Sequence, residues 1–223
     1  KTGTGPPLES GDRAHNSRSI RAVDTATRES RRRTILREQE SRIVDAAAAE
    51  FRRAGVKQAD IERIARDAGV SRATVYRRFA NRDELLAEVI ARVRRRLLGK
   101  VADRVEGLDA KSVVVEAFTL AMIDIRHDAL LQQILGDSPE TVDALFGLSS
   151  PQVQDMIDEF GERIAVTLRS AGAAMPDAEL RQAAEVLVRL AISLMSARST
   201  TLDTDKESAV RAFAGTFLAP MIW

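Results

Sequence analysis

Apolar residues recur at three- and four-residue spacing along this chain, the period of helices packed on one face. The pattern is densest over residues 60–86. Ile61, Ile64, Ala65 and Ala68 share one helical stripe. Gly69 follows at once, where a helix C-terminus favours a residue that accepts positive φ. Val70 fits the corner, and Ser71 is a good N-cap for a second short helix with Val75 and Phe79 on its inner side. Asn81 caps a third helix, and Glu84 three residues later predicts a capping box.

The same period extends outward. Ile43, Ala46, Ala47 and Phe51 line a helix over 35–54 that packs on the two short ones. Leu85, Leu86, Val89, Ile90, Val93 and Leu97 line a connector helix over 83–98. Arg92, Arg94, Arg95 and Arg96 crowd its second half, where the helix macrodipole favours cations. Five more helices are marked by their starts. Asp109, Ser138-Pro139, Ser150-Pro151 and Pro176-Asp177 open four, Gly172 closes the third, and a Thr204–Glu207 capping box opens the last, which Pro220 stops. The fold predicted is all-α, with an N-terminal three-helix helix-turn-helix domain and a C-terminal helical domain, to which the family resemblance given below assigns ligand binding and dimerisation. The boundaries are a flexible arm over 1–34, the helix-turn-helix over 35–82, and the C-terminal domain over 83–223, which begins with the connector.

Two helices joined by a Gly turn, the second carrying arginines and hydroxyls, suit a reader of the DNA major groove. Ser71 starts that second helix. Arg72 can fork onto guanine O6 and N7, and Ala73 can pack on a thymine methyl. Thr74 and Tyr76 offer hydroxyls to phosphates, and Arg82, in the first turn of the next helix, can grip one.

The ordered set from Ala65 to Leu85, A-x-x-A-G-V-S-x-x-T-V-Y-x-x-F-x-N-R-x-x-L, resembles the tetracycline-repressor (TetR) family of bacterial regulators. Ile43, Ala46, Ala47, Phe51 and Gly55 fit that family's first helix and its ending. The resemblance implies a homodimer with a DNA-binding domain and an effector domain. It implies phosphate contacts from Thr74, Tyr76 and Arg82, with Arg72, Ala73 and Arg77 facing bases. One position departs: Asp60 stands where the family often has Thr. Asp caps a helix well, but it repels a phosphate, and Arg63 three residues on cannot complete a capping box.

Charge sharpens this picture. The net charge is +1. Residues 1–100 hold 24 Lys and Arg against 14 Asp and Glu, while 101–223 hold 10 against 19. Only the first half is made to face a polyanion. The arm adds Arg13, Arg18, Arg21, Arg28, Arg31, Arg32 and Arg33, a set that can enter a minor groove beside the reader or simply remain solvated. There is no Cys, so no disulfide or thiolate chemistry. No apolar run reaches membrane length and none resembles a signal peptide, so a cytoplasmic location is expected.

In the C-terminal half, Leu180, Ala184, Leu187, Ala191 and Leu194 form one stripe, with Ala183, Val186, Leu190, Ser193 and Ala197 beside it. So wide an apolar arc needs cover on two sides. The cover is either the chain's own core around a fully buried helix or a second copy; with Phe213 and Phe217 of the last helix, the resemblance favours a dimer interface centred on Leu187, Leu190, Ala191, Leu194, Phe213 and Phe217. An effector site among the helices of 109–171 has Phe118, Met122, Met156 and Phe160 as apolar lining, with Arg126 and His127 as polar anchors. Asp124, His127 and Asp128 share a helix face, but such a trio is more often a surface cluster than a metal site.

The function expected is a transcriptional regulator, released as a repressor from a near-palindromic double-stranded operator by a small molecule. No cofactor is expected. An enzyme is disfavoured: His15 and His127 are the only histidines, and there is no Gly-rich phosphate loop or H-E-x-x-H. A DNA-binding architectural protein without an effector is the third reading.

Overall fold

The computed structural model describes the backbone of residues 12–136, 151–197 and 199–223, and the side chains of 29–136, 153–197 and 199–223. Among these the chain is helical, without strands. The elements are α1 (Asp12–Ala54), α2 (Ile61–Asp67), α3 (Arg72–Arg78), α4 (Arg82–Val105), α5 (Ala110–His127), α6 (Ala129–Leu135), α7 (Pro151–Ser170), α8 (Asp177–Ser196) and α9 (Glu207–Phe213).

Residues 12–34 of the expected arm are helical, as the first part of α1; the rest of that arm lies outside the described residues. α1 spans 43 residues without Gly or Pro, so nothing in the covalent chain interrupts it between Asp12 and Gly55. At 1.5 Å per residue it is about 65 Å long. Its inner stripe is as expected: Ile43, Ala47 and Phe51 are fully buried. They join Ile64 and Ala65 of α2, Ala68 at its C-cap, Val75 of α3 and Leu85, Leu86 and Val89 of α4 in one core.

The connector also runs further than predicted, to Val105. Gly99 interrupts the sequence pattern but not the helix, because Leu97, Val101 and Val105 keep the apolar stripe in register. The turn comes at Gly107, where φ is +74°. The arginine cluster is therefore mid-helix, and the macrodipole does not account for it. Each of these arginines pairs instead. Arg92 binds Asp45 and the Ser41 carbonyl and hydroxyl of α1. Arg94 meets Glu159 of α7 at 3.4 Å, Arg95 meets Glu88 at 2.6 Å, and Arg96 binds Asp128.

The C-terminal core is built on α5. Val113, Val114, Phe118 and Met122 pack with Ala165 and Leu168 of α7, Leu180, Ala184 and Leu187 of α8, and Val210 of α9. Asp109 caps α5 as expected, accepting from Lys111 N at 3.0 Å and from Ser112 N at 3.2 Å. α7 begins at Pro151 and its exit turn has Gly172 at φ +93°. The Thr204–Glu207 capping box does not form. Thr204 is buried, and α9 starts after Lys206 with no side-chain cap. Pro220 does not end an α-helix either: α9 gives way at Ala214–Leu218 to a π turn, and Pro220 sits in a 3-10 turn over Ala219–Met221. The predicted Ser138-Pro139 start lies outside the described residues.

α6 joins the halves. Its Leu130 and Ile134 are buried in the N-terminal core, while Leu131 packs with Leu97 of α4 and Ile125 of α5.

Candidate nucleic-acid interface

The turn between α2 and α3 is set by local chemistry. Gly69 has φ +66°. Val70 N donates to Ala65 O at 2.9 Å and Gly69 N to Arg66 O at 3.0 Å, a paired closure that satisfies the last carbonyls of α2. Ser71 Oγ then accepts from Thr74 N at 3.1 Å and caps α3. With Val75 and Phe79 buried against the core, α3 turns Arg72, Ala73, Tyr76 and Arg77 to solvent on one exposed side.

Arg72 is not a free arm. Its Nη1 donates to Glu62 Oε1 of α2 at 2.9 Å, and its guanidinium lies 5.5 Å from the centroid of the Tyr76 ring. The Tyr76 hydroxyl and the Glu62 carboxylate both hold it in its charged form, raising an already high pKa.

Two predicted phosphate contacts are engaged within the fold. Thr74 is buried, with its hydroxyl 3.0 Å from Ser71 Oγ, so it braces the α3 cap. Arg82 donates to Lys57 O at 2.5 Å and to Ala59 O at 2.9 Å, pinning the α1–α2 loop to the start of α4. Asn81 caps α4 by accepting from Glu84 N at 2.8 Å. Glu84 returns not to Asn81 but to Ala80 N, one residue further back, at 2.6 Å.

The residue that sequence reasoning missed is Glu50. It is buried in α1, yet it carries a charge. Arg53 meets it with two hydrogen bonds, at 2.9 and 2.7 Å, and Arg63 Nε lies 3.5 Å away. Glu50 Oε1 also accepts from Asp60 N at 3.0 Å. Asp60 caps α2 through Glu62 N at 2.8 Å, so Glu50 supplies from another helix the second half of the capping box that Arg63 cannot. The Arg53 hydrogen bonds hold its pKa below the ordinary carboxylate value, against the upward push of burial. Its one signal in the sequence is a Glu inside the apolar stripe between Ala47 and Phe51.

The six effector-site candidates do not converge on one cavity. Phe118 and Met122 are buried in the α5-centred core. Met156 and Phe160 pack elsewhere, around Val153, Ile157, Val188 and Ile192. Arg126 has a largely buried side chain bound to Asp205 at 2.9 Å, and His127 Nδ1 is 2.9 Å from Ile123 O. A surface cleft of about 760 Å³ lies at the far end of α4, lined by Val105, Leu108, Asp109, Val113, Thr167 and Ala171 among others, and it includes none of the six. Thr119 is a further polar residue of α5 that was missed: its hydroxyl is buried without a hydrogen-bond partner. The trio of Asp124, His127 and Asp128 is divided, with Asp124 on Lys100 and Asp128 on Arg96.

Of the predicted dimer residues, Leu187 is buried in the chain's own core, and Leu190, Ala191, Leu194 and Phe213 are half-buried. Phe217 is 63% exposed and packs tilted against Phe213, with ring centroids 5.3 Å apart, and Phe213 in turn lies 6.3 Å from Phe118. Val186 is exposed on α8.

Residues 43–89 match the sequence model of the bacterial regulatory proteins of the tetR family. No curated protein matches the chain. Solved structures share its fold. The TetR family repressor AlkX of Dietzia sp. strain DQ12-45-1b, implicated in biodegradation of n-alkanes, aligns with TM-score 0.59 and 17% identity, over 78% of this chain and 92% of its own. A TetR-family regulator of Pectobacterium atrosepticum aligns with TM-score 0.57 and 17% identity, over 83% and 93%. The transcriptional repressor QsdR of R. erythropolis, from the TetR family, gives 0.55 and 20%, over 79% and 93%.

Proposed function

We propose that this chain, a tetR-family transcriptional regulator by its N-terminal domain and its fold, is a homodimeric repressor released from a near-palindromic operator by a small molecule. The observation that carries the reading is the Ser71-capped α3, with Arg72, Ala73, Tyr76 and Arg77 exposed together on the side away from the core. Two such helices, one per subunit, would enter successive major grooves about 34–36 Å apart. Arg72 and Arg77 would face bases with Ala73, and Tyr76 would reach a phosphate. The chain divides functionally into the N-terminal helical extension, the reader domain to residue 82, and the effector and dimerisation domain beyond it.

The exposed Phe217 and Val186, flanked by half-buried Leu190, Leu194 and Phe213, support a dimer made by α8 and the last helix. A protein of this kind acts on DNA in the cytoplasm, and no described helix is long and apolar enough to cross a membrane.

Effector control has a physical route. α6 contributes Leu130 and Ile134 to the reader's core, and its N-cap, Asp128, is bound by Arg96 of α4. Burial raises the Asp128 pKa, but hydrogen bonds from Leu131 N, Arg96 and Leu130 N lower it further, so it stays charged. A ligand that acted on α6 from beside α5 would have to part the core in which Phe118, Met122 and Thr119 are buried. The reader would shift with α6, lowering the population that fits DNA.

The test is a compound screen by thermal shift, followed by titration of each hit against the protein bound to its selected duplex. Hits that release the DNA support the proposal. Hits that raise the Tm and leave DNA affinity unchanged contradict effector control.

A further inference from the structure

The first turn of a reader helix faces the base edges, and Arg72 begins that turn. Its guanidinium is already claimed by an acid from the neighbouring helix: Glu62 Oε1 lies 2.9 Å from Nη1. Both side chains are more than half exposed, at 58% and 64%. An exposed pair of this kind adds little to stability. It also puts a carboxylate where the DNA arrives, beside a second acid, Asp60, at the start of the same helix. Negative charge on that surface weakens attraction to phosphates, so Glu62 costs general affinity.

The geometry gives it another use. Tyr76 lies beneath the guanidinium at 5.5 Å, and Glu62 holds one edge of it. The arginine is thereby engaged by a carboxylate and a ring before DNA binds. Arg has five N–H donors in a planar fork. One is engaged by Glu62 and one by the Tyr76 hydroxyl, and three remain, enough for the bidentate contact to guanine O6 and N7. Glu62 retains Oε2, and the only base-edge donor specific to cytosine in the major groove is the N4 amino group, which a carboxylate accepts.

We propose that Glu62 is a specificity-determining residue of the DNA reader, fixing Arg72 over a guanine and accepting from the amino group of a neighbouring cytosine. This rests on the DNA-reading function proposed above. It makes α2 part of the base readout rather than only a support for α3. It also predicts that the half-site contains a guanine beside a cytosine on the face read by the two helices.

The experiment is selection of bound duplexes from a random pool by the full-length chain, run in parallel for wild type, Glu62→Gln, Glu62→Ala and Arg72→Ala. Each protein is then titrated against the wild-type winner and against mixed-sequence DNA. Circular dichroism melts verify that the exposed substitutions leave the fold intact. The expected result is a wild-type half-site with the guanine and cytosine. Glu62→Ala loses about tenfold or more of its discrimination at those positions and gains affinity for mixed-sequence DNA. Arg72→Ala loses the guanine preference, and Glu62→Gln, which keeps one acceptor oxygen, loses part of the cytosine preference. If both Glu62 variants select the wild-type consensus with unchanged discrimination at every position, the role of Glu62 is overturned and the reader stands. If wild type itself selects no consensus, the DNA-reading function fails, and the proposal with it.

Discussion

Glu50 of α1 accepts the backbone N–H of Asp60 at 3.0 Å, ten residues along the chain and across the loop that leads into α2. This bond ties the start of α2 to the long N-terminal helix. Two arginines neutralise the carboxylate that makes it. The placement of the whole α2–α3 unit depends on a charge buried at its root.

Replacing that carboxylate should therefore destabilise the reader domain. Glu50→Gln keeps the shape and loses the charge-assisted bonds to Arg53, at a cost of about 1–3 kcal/mol at neutral pH. The pH dependence has a definite sign. The folded chain holds the Glu50 pKa below 4.5, so its stabilisation is fully present above that value and is lost as pH falls through the folded pKa. Denaturant melts of wild type and Glu50→Gln should differ most above pH 5 and converge in acid. A gap that widens in acid would contradict this account.

Arg82 should behave as a structural residue. With its guanidinium on the Lys57 and Ala59 carbonyls, Arg82→Ala should cost about 1–3 kcal/mol in a thermal or denaturant melt. The slope of log K against log salt for DNA binding should change by less than the roughly 0.9 expected for one lost phosphate contact. A full unit lost from the slope, with stability intact, would return Arg82 to the phosphate.

Two glycines make opposite predictions under the same substitution. Gly69 sits at φ +66° with open space around its Cα, so Gly69→Ala meets no clash and pays only the left-handed backbone, about 1–2 kcal/mol. Gly99 is inside α4, also with open space around it, and Gly99→Ala should stabilise by about 0.5–1 kcal/mol. Paired thermal melts check both signs.

Phe217 should be needed for assembly. Sedimentation or light scattering is expected to give a dimer for wild type at micromolar concentration and a monomer for Phe217→Asp, with operator affinity falling in parallel. A Phe217→Asp dimer of unchanged mass would locate the interface elsewhere.

The α2–turn–α3 unit was legible in the sequence because its signals are local. Gly69 follows the stripe of α2 directly, and Ser71 caps a helix whose bond partner, Thr74, is three residues on. Contacts that close over long separations were not legible. Glu50 looks misplaced in an apolar stripe until Asp60 and Arg63 are brought to it by the fold. The arginines of α4 invite a macrodipole explanation until Asp45, Glu159 and Asp128 arrive from three other helices. Arg82 is read as a phosphate ligand by its position alone, and its carbonyl partners lie 23 and 25 residues upstream. Residue type alone does not distinguish the α5-centred core of Phe118 from the α7–α8 seam of Phe160.

The central claim is that α3 reads a symmetric DNA site as part of a dimer. Selection of bound duplexes from a random pool by the wild-type chain, followed by titration of the winner over a salt series, tests it most directly. The account predicts a near-palindromic consensus whose half-sites are centred about one helical turn apart, bound with a steep salt slope. Binding that yields no consensus, with affinity set by salt alone, would contradict it.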